Sequence, residues 1–261
     1  MTDLGDFPDL GLEAHGPVVS VEIQRPPHNF FDIDVVRSLA DAFEAIDRID
    51  RYRAVVLCAQ GKSFCAGANF GDGSGDRLMR DRRTRDLYRE AVRLFSCRKP
   101  VVAAVNGPAV GGGLGLALVG DFRVACPEAR FAANFTRLGI HPGFGLTVTL
   151  PRVVGQQRAA MMFYTSRRLK AEEALDIGLA DVLVPLDQLR ATAIELAAEI
   201  ASNAPLAVES TRATLRMDLA RQIAERTDHE SDEQALLRET EDFAEGIKAT
   251  AERRVPAFHR R

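Results

Sequence analysis

Two glycine-rich segments contain the groups of this sequence best suited to chemistry, and those groups belong to the backbone. The first segment, residues 62–69 (KSFCAGAN), places small residues directly after a predicted strand, so that a ligand can approach the main chain closely. The second, residues 105–113 (VNGPAVGGG), leads from a strand into the start of a helix, where the first N–H groups have no intrahelical acceptor. Two such N–H groups directed at one carbonyl oxygen form an oxyanion hole, although each segment alone also fits a tight turn.

Three segments in this part of the chain resemble known functional motifs, but each lacks a residue that the motif requires. Residues 61–63 (GKS) end like a phosphate loop, but Val56 stands where that loop needs a glycine. The glycine run 111–115 lacks the third glycine of a dinucleotide fingerprint. Ser74 has Asp72 two residues before it, so the G-x-S-x-G pattern of a nucleophilic serine is missing. The sequence therefore predicts neither a nucleotide-phosphate loop nor a serine nucleophile.

The composition argues against several classes of function. The chain has 34 basic and 37 acidic residues, hence a net charge of −3, which leaves no basic surplus for nucleic acid. Its N-terminus lacks the apolar core of a signal peptide, and no stretch is apolar over the length of a membrane span. The four cysteines lie far apart and outside metal-ligand spacings: Cys58, Cys65, Cys97 and Cys126. We therefore expect a cytoplasmic protein with reduced thiols, no metal, no membrane contact and no nucleic-acid partner.

The scaffold that must position the two segments is predicted to be α/β. Short β-branched runs predict strands at residues 18–23, 54–59, 101–105, 122–126 and 181–184. Between the first two, apolar residues from Ile33 to Ile49 recur every three or four positions, which indicates an amphipathic helix. Beyond residue 186 the strand signals stop. Helices are predicted there at 189–200, at 206–226 and from Ser231, whose spacing to Gln234 is that of a capping box.

This change of pattern divides the chain into two regions. Residues 1–195 are predicted to form an α/β core that contains the ligand site, and residues 196–261 a helical oligomerisation region. A helical region of that size buries little apolar surface by itself. We therefore expect it to cover its own core, a neighbouring subunit, or both.

Taken in order, the motifs of the chain resemble those of the crotonase superfamily, also called the enoyl-CoA hydratase/isomerase family. The resemblance rests on residues 25–29 (RPPHN), 64–68 (FCAGA), 106–113 (NGPAVGGG), 139–143 (GIHPG), 245–246 (EG) and 252–258 (ERRVPAF). It implies an α/β fold, a crotonase-like spiral of β-β-α units with a helical C-terminal trimerisation region. It also implies an acyl-CoA thioester as substrate, whose oxygen is bound by the N–H groups of Ala68 and Gly112. A homotrimer or a dimer of trimers is expected, and coenzyme A enters only as part of the substrate, so no separate cofactor is expected.

The same resemblance implies where coenzyme A is held. Contacts with the CoA thioester are expected from Pro27, His28, Ala66, Gly67, Asn69 and Phe70. Asn69 departs from the family pattern, which has an aspartate at that position. Arg253, in the charged C-terminal segment, lies either on a solvated helix face or against a phosphate of coenzyme A.

Two further departures from the family pattern bear on the expected reaction. Family hydratases carry two glutamates, and alignment through the motifs puts Gly115 and Phe135 at those positions. Neither side chain transfers a proton, and general acid–base catalysis contributes about 10²–10⁴-fold in rate. We therefore expect an atypical family enzyme that hydrates simple enoyl thioesters weakly, with Gly115 and Phe135 as substrate-binding positions.

Other residues could replace the missing glutamates. His141 is the candidate catalytic side chain, because histidine is a residue type that commonly exchanges protons in catalysis, although a backbone hydrogen bond at a helix start would explain it equally well. Asp72 and Asp76 lie on the loop after the first segment, where aspartate beside glycine is also ordinary turn chemistry. Two other functions stay open: an acyl-CoA decarboxylase or thioester/C–C hydrolase of the same fold, and an acyl-CoA-binding protein without catalysis.

Overall fold

A six-stranded sheet forms the centre of the computed structural model, which describes residues 4–69 and 83–261. Its strands are β1 Leu10–His15, β2 Val18–Ile23, β3 Ala54–Ala59, β4 Val101–Val105, β6 Phe122–Ala125 and β9 Val182–Leu183. They are ordered β1-β2-β3-β4-β6-β9; the β1–β2 pair is antiparallel and the other neighbouring pairs are parallel. Because β3 and β4 run in parallel, the two glycine-rich segments that follow them start at the same edge of the sheet.

A second, smaller sheet holds part of the second glycine-rich segment. It consists of β5 Pro108–Val110, β7 Arg130–Ala132 and β8 Arg168–Lys170, in that order. β5 is parallel to β7, and β7 is antiparallel to β8. Strands of three residues are too short to produce a recognisable alternation, which is why the sequence does not predict them.

Ten helices surround the sheets within the described ranges. They are α1 Ile33–Asp47, α2 Arg83–Phe95, α3 Gly112–Ala117, α4 Leu146–Val154, α5 Gln156–Thr165, α6 Ala171–Asp176, α7 Leu189–Ala201, α8 Pro205–Leu215, α9 Leu219–Leu237 and α10 Glu241–Ala251, and Thr136–Leu138 forms one turn of 3-10 helix. Asp32 caps α1, since its carboxylate accepts from the N–H groups of Asp34 and Val35 at 3.1 Å. The predicted apolar stripe of α1 is buried, Leu39 and Phe43 almost completely.

Most of the predicted strands are confirmed. Strands 18–23, 54–59 and 101–105 have the predicted bounds, while 122–126 ends one residue early and 181–184 is a strand only at 182–183. β1 is not predicted because it is an edge strand that is only partly buried and shows no clear alternation. The α/β class and the helical C-terminal region are confirmed.

Two predictions for the C-terminal helices are wrong. A single helix over 206–226 is replaced by α8 and α9, because the chain turns between them at Asp218, where φ is 62°. No helix starts at Ser231, which is a buried residue inside α9. The last helix, α10, begins instead after Thr240, whose hydroxyl accepts from the N–H of Phe243 at 3.1 Å.

Helix α7 covers one face of the main sheet. Its buried residues form an apolar cluster with alternate residues of β2, β3, β4 and β6, and a larger apolar cluster that includes α1 lies against the other residues of the sheet. The predicted division between residues 195 and 196 falls inside α7. The division of the chain into a ligand-binding core and an oligomerisation region stays a prediction, and so does trimerisation.

Candidate functional site

Backbone hydrogen bonds lock the two glycine-rich segments together. The N–H of Cys65 donates to the carbonyl oxygen of Pro108 at 3.1 Å, and the N–H of Val110 donates to the carbonyl oxygen of Cys65 at 3.0 Å. Cys65 and Ala109 thus form a parallel bridge. Burial raises the pKa of the Cys65 thiol to about 12, so this cysteine stays protonated and supports the backbone without being a nucleophile.

Glycines allow the segments to approach more closely than side chains would permit. A Cβ atom on Gly113 would lie 2.0 Å from the carbonyl oxygen of Cys65. Gly67 has a φ of +82°, and a Cβ there would lie 2.7 Å from the carbonyl oxygen of Val110 and 3.8 Å from the nitrogen of Gly112. The start of α3 therefore packs directly against the backbone of the first segment.

The N–H groups of Ala68 and Gly112 are without an acceptor among the described residues. Within the described part of the chain, neither Ala68 nor Gly112 donates a backbone hydrogen bond. Their neighbours do: Ala66 donates to the carbonyl oxygen of His28 at 3.0 Å and Gly111 to that of Ala132 at 2.8 Å. Ala68 and Gly112 both line one pocket, which gives that pocket two unshared donors.

The pocket has a volume of about 490 Å³ and mainly apolar walls. Of the predicted site residues it brings together Ala66, Gly67, Ala68, Asn69, Gly112 and Phe135. Four phenylalanines line it: Phe30, Phe31, Phe135 and Phe144. Polar side chains in the described lining are those of Asn69, Thr84, Tyr88, Asn134, Thr250 and Arg253. Among the described lining residues there is no carboxylate and no imidazole.

Aromatic rings lie at or beside the two positions that the sequence motifs align with the glutamates of family hydratases. Phe135 is 7% exposed and lines the pocket. Gly115 is buried in α3 and is absent from the described lining, because the ring of Phe144 lies between it and the cavity. A Cβ on Gly115 would lie 2.5 Å from Cδ1 of Phe144. Phe144, and not Gly115, therefore lines the described part of the pocket.

His141 lies outside the pocket as far as the described residues define it. Its Nδ1 is 2.7 Å from the carbonyl oxygen of Pro142, and its ring packs at 5.8 Å from the ring of His229. This is the backbone-bonded arrangement that the sequence left open as the alternative. Phe70, Asp72 and Asp76 lie outside the described residues.

Pro27 and His28 also lie outside the described lining, behind the first segment. The carbonyl oxygen of Pro27 accepts from the N–H groups of Lys62 and Ser63 at 2.9 and 3.2 Å. The carbonyl oxygen of His28 accepts from the N–H of Ala66, and Nδ1 of the His28 ring lies 3.3 Å from the hydroxyl oxygen of Ser63. Both residues position the backbone that carries Ala68.

Sequence reasoning missed the loop that carries Phe144 and the helix that holds it. The carboxylate of Glu230, on α9, accepts from the N–H of Gly145 at 2.8 Å and from the N–H and hydroxyl of Thr147 at 3.2 and 2.6 Å. Burial raises the pKa of Glu230 to about 7. Phe144 itself has a φ of 63°, a left-handed conformation that is costly for a phenylalanine. No local pattern signals these contacts, because the partners lie far apart in sequence.

A hydrogen-bonded pair from α2 and α9 supports the same loop. The hydroxyl of Tyr88 lines the pocket and donates to Oε1 of Gln234 at 3.0 Å, and Nε2 of Gln234 donates to the carbonyl oxygen of His141 at 2.8 Å. Burial raises the pKa of Tyr88, so its phenol keeps its proton. The loop that bears Phe144 is thus fixed from two positions on α9.

The last helix closes the pocket from the C-terminal end of the chain. Ile247, Thr250 and Ala251 of this region line the cavity. The helix comes close because Gly246 faces the turn at Leu138: a Cβ on Gly246 would lie 2.6 Å from the carbonyl carbon of Leu138. The C-terminal region therefore contributes to the ligand site of its own chain.

No group of three or more histidine, cysteine, aspartate or glutamate side chains in the described ranges is arranged to hold a metal ion. None of the helices described combines the length and the hydropathy needed to cross a membrane.

Comparison with known proteins gives this site a family context. The family model of enoyl-CoA hydratase/isomerase matches residues 13–261. The chain is 36% identical to the short-chain-enoyl-CoA hydratase of Clostridium acetobutylicum, with 93% of this chain and 94% of that protein covered. It is 31% identical to the 1,2-epoxyphenylacetyl-CoA isomerase of Escherichia coli, with coverages of 92% and 94%.

A solved structure gives the same result for the fold. The crystal structure of an enoyl-CoA hydratase/isomerase from Pseudoalteromonas atlantica superimposes with a TM-score of 0.86 at 32% identity. The match covers 96% of this chain and 100% of that one. The resemblance to the crotonase superfamily and the crotonase fold are thereby confirmed, and the chain belongs to the enoyl-CoA hydratase/isomerase family of acyl-CoA enzymes.

Proposed function

We propose that this enzyme binds an acyl-CoA thioester with its carbonyl oxygen between the N–H groups of Ala68 and Gly112, and stabilises the enolate of that thioester. The observation that carries the proposal is the pair of unshared backbone donors at one apolar pocket. Removal of a single donor from such an oxyanion hole typically costs about 2.7–4 kcal/mol of transition-state stabilisation. The donors belong to backbone held by Gly67 and Gly113, so they need little reorganisation when the charge develops.

The walls of the pocket strengthen this stabilisation. Phe31 and Phe144 pack with their ring centroids 5.6 Å apart, and Phe135 lines the cavity with them. Aromatic walls keep water away from the thioester oxygen, and electrostatic interactions are stronger in such surroundings than in water. Two N–H donors in this environment are suited to a charge that is delocalised over the thioester and its α-carbon.

Ordinary hydration is not the reaction that this pocket favours. Addition of water to an enoyl thioester needs a group that removes a proton from water and a group that protonates the α-carbon. Phe135 and the glycine at 115 supply neither, and the described lining adds no carboxylate or imidazole. We therefore propose an atypical family member with weak hydration of simple 2-enoyl thioesters.

Decarboxylation of a malonyl-type thioester is the second candidate, and the lack of a base in the described lining favours it. In this reaction the bond between the α-carbon and the carboxylate breaks, and its electron pair forms the enolate while carbon dioxide leaves. The enolate then takes a proton from water. The residues required are those that stabilise the enolate oxygen, Ala68 and Gly112.

Coenzyme A is proposed to lie along residues 66–70 as part of the substrate, with no further cofactor. The printed names of the relatives, a short-chain-enoyl-CoA hydratase and an acyl-CoA isomerase, support a CoA thioester as ligand. A homotrimer or dimer of trimers in the cytoplasm is proposed for the assembly. Exposed apolar side chains at the C-terminal helices support a subunit contact: Leu206, Leu215 and Met217 are 79%, 72% and 65% exposed.

The test uses vibrational spectroscopy of bound thioesters labelled with carbon-13 at the carbonyl. Hydrogen bonds from an oxyanion hole lower the frequency of the carbonyl stretch. Any side chain at 112 would place its Cβ 2.2 Å from Cζ of Phe31, so both comparison variants also carry Phe31→Ala. In that background Gly112→Ala keeps the N–H and Gly112→Pro removes it. We expect a smaller frequency shift only with proline.

Turnover of 2-enoyl, 3-enoyl and malonyl-type CoA esters completes this test. Equal frequency shifts in the alanine and proline variants would contradict the assignment of the oxyanion hole. Binding of none of these esters to folded protein would overturn the proposed ligand. Tight binding without turnover of any ester would favour an acyl-CoA-binding protein over an enzyme.

A further inference from the structure

A second pocket opens beside the pocket lined by Ala68 and Gly112, which we name the acyl pocket. This second pocket is strongly basic. Its volume is about 360 Å³, and the two pockets share Val110, Asn134, Thr250 and Arg253. Its lining in the described residues contains four arginines and no carboxylate: Arg137, Arg168, Arg253 and Arg254. We name these four residues and their cavity the arginine pocket.

Three of the four guanidinium groups have no carboxylate partner among the described residues. Arg254 is paired with Glu245 and Glu252, the second at 2.6 Å. Arg137, Arg168 and Arg253 form no ion pair with any described residue, and the guanidinium of Arg137 donates only to the carbonyl oxygen of Arg254, at 3.4 Å. Positive charges that share one cavity repel each other, so a bound anion would stabilise this arrangement.

The backbone at Arg253 supplies an independent observation. Its φ is 55°, and the N–H of Arg254 donates to the carbonyl oxygen of Ala249 at 3.0 Å, so Arg253 occupies the left-handed position that ends α10. Glycine is the residue favoured at such a helix end. An arginine pays a conformational cost there of about 1–2 kcal/mol. That cost is consistent with a functional role for its side chain, which lines both pockets.

The place where the pockets meet indicates which part of a thioester reaches the arginines. Asn134 lies at the junction, and its Oδ1 would be 3.5 Å from a Cβ on Gly111, the residue before the oxyanion donor Gly112. Apart from Arg253, for which a phosphate of coenzyme A is one of two expected partners, the described lining of the arginine pocket contains none of the residues predicted to hold coenzyme A. Its access to the acyl pocket is therefore on the side of the acyl group.

We propose that the arginine pocket binds the free carboxylate of a dicarboxylic acyl group, so that the preferred ligands of this protein are CoA thioesters of dicarboxylic acids. Arginine binds carboxylates through parallel N–H donors, which suits a terminal carboxylate. The inference rests on the proposed function, since it requires that the thioester bind in the adjoining acyl pocket.

The experiment measures dissociation constants by calorimetry for matched pairs of esters. Each dicarboxylic ester is compared with the neutral ester of the same chain length: succinyl-CoA with butyryl-CoA, glutaryl-CoA with pentanoyl-CoA, and adipyl-CoA with hexanoyl-CoA. We expect the dicarboxylic ester to bind at least tenfold more tightly at one or more lengths. The preference should decrease as the salt concentration rises.

Arg253→Gly is the decisive variant. Glycine suits the left-handed backbone at this position, so the variant should fold at least as stably as the wild type. We expect it to lose the preference for the dicarboxylic ester over the neutral ester of the same chain length. Arg167→Gln is the matched control, since Arg167 is an exposed neighbour of Arg168 that lies outside the described lining of the arginine pocket. The control should keep the preference.

Three results would overturn the inference. The first is equal affinity for both members of every pair. The second is an equal loss of both affinities in Arg253→Gly that disappears when 3′-dephospho-CoA esters are used, since the anion would then be a phosphate of coenzyme A. The third is an unchanged preference with a changed molar mass by light scattering, which would assign the pocket to a contact between copies. Failure to bind any ester would instead refute the proposed function itself.

Discussion

The ring of Phe144 occupies the space that a side chain at position 115 would need. The effect of Gly115→Ala on the free energy of unfolding should therefore change sign when that ring is removed. In the native protein, a Cβ on Gly115 would lie 2.5 Å from Cδ1 and 2.9 Å from Cγ of Phe144. Real Cβ contacts are not that short, so the ring must move or the helix must shift. Such overpacking costs about 1–3 kcal/mol. Alanine gains up to about 1 kcal/mol over glycine within a helix. Gly115→Ala should therefore destabilise the protein by up to about 2 kcal/mol.

Removal of the ring should reverse this effect. Phe144→Gly loses a buried ring, but it also relieves the left-handed backbone at φ 63°. In that background the added methyl group of Gly115→Ala meets open space, so only its helix preference remains. Gly115→Ala should then stabilise the protein by up to about 1 kcal/mol. The coupling between the two substitutions should equal the overpacking cost, about 1–3 kcal/mol.

Urea unfolding at one fixed protein concentration measures the four members of this cycle. The control cycle combines Gly115→Ala with Phe43→Ala, since Phe43 is buried in α1 and is not among the atoms nearest to Gly115. That cycle should be additive. The same cost of Gly115→Ala with and without the Phe144 ring would refute the argument that Phe144 fills this site.

The position of the Phe144 ring also predicts how hydration could be introduced. Gly115→Glu together with Phe135→Glu should raise the hydration of crotonyl-CoA only when Phe144 is replaced as well, since only then is there room for the first carboxylate. A gain in the double variant that still contains Phe144 would contradict this. The expected gain, from general acid–base catalysis, is up to about 10²–10⁴-fold.

Three further predictions concern pH dependence, His141 and assembly. Burial raises the pKa of Glu230 to about 7 from 4.5, so the folded protein keeps a proton that the unfolded chain has lost. Stability should therefore fall by about 3 kcal/mol as the pH rises from about 4.5 to 7. Urea titrations should lose that slope in Glu230→Gln and keep it in Glu225→Gln, whose carboxylate is 64% exposed. His141→Ala should change kcat/KM by less than about twofold, because the His141 ring is hydrogen-bonded to backbone and lies outside the described lining of the pocket. A large drop in kcat alone would show that His141 acts in the transition state. Light scattering at micromolar concentration should give a trimer or hexamer, with dissociation in Leu206→Asp, and a monomeric wild type would exclude the proposed assembly.

Much of the scaffold could be predicted from the sequence because its elements have strong local patterns. The runs 18–23, 54–59 and 101–105 are continuous or nearly continuous in buried apolar residues, and their bounds match the observed strands. The stripe from Ile33 to Ile49 likewise predicted α1. The two glycine-rich segments were recognised for a related reason: free backbone donors at a helix start, and small residues beside them, depend on local residue types.

Features without a local pattern were missed or misplaced. The three-residue strands β5, β7 and β8 exist only because neighbouring segments pair with them. The spacing of Ser231 to Gln234 suggested a helix start, yet both residues are buried inside α9, where Gln234 supports the loop of Phe144. A capping-box pattern is local and carries no information about which side chains tertiary packing buries.

Residue types alone show that Gly115 and Phe135 cannot transfer a proton in any fold. What fills the space beside Gly115 depends on the folded chain. The ring of Phe144, twenty-nine positions along the chain, enters that space because α9 fixes the loop through Glu230 and Gln234. The physical reason is that residue types limit which reactions are possible, whereas the volume and contacts around a position depend on segments that meet only when the chain has folded.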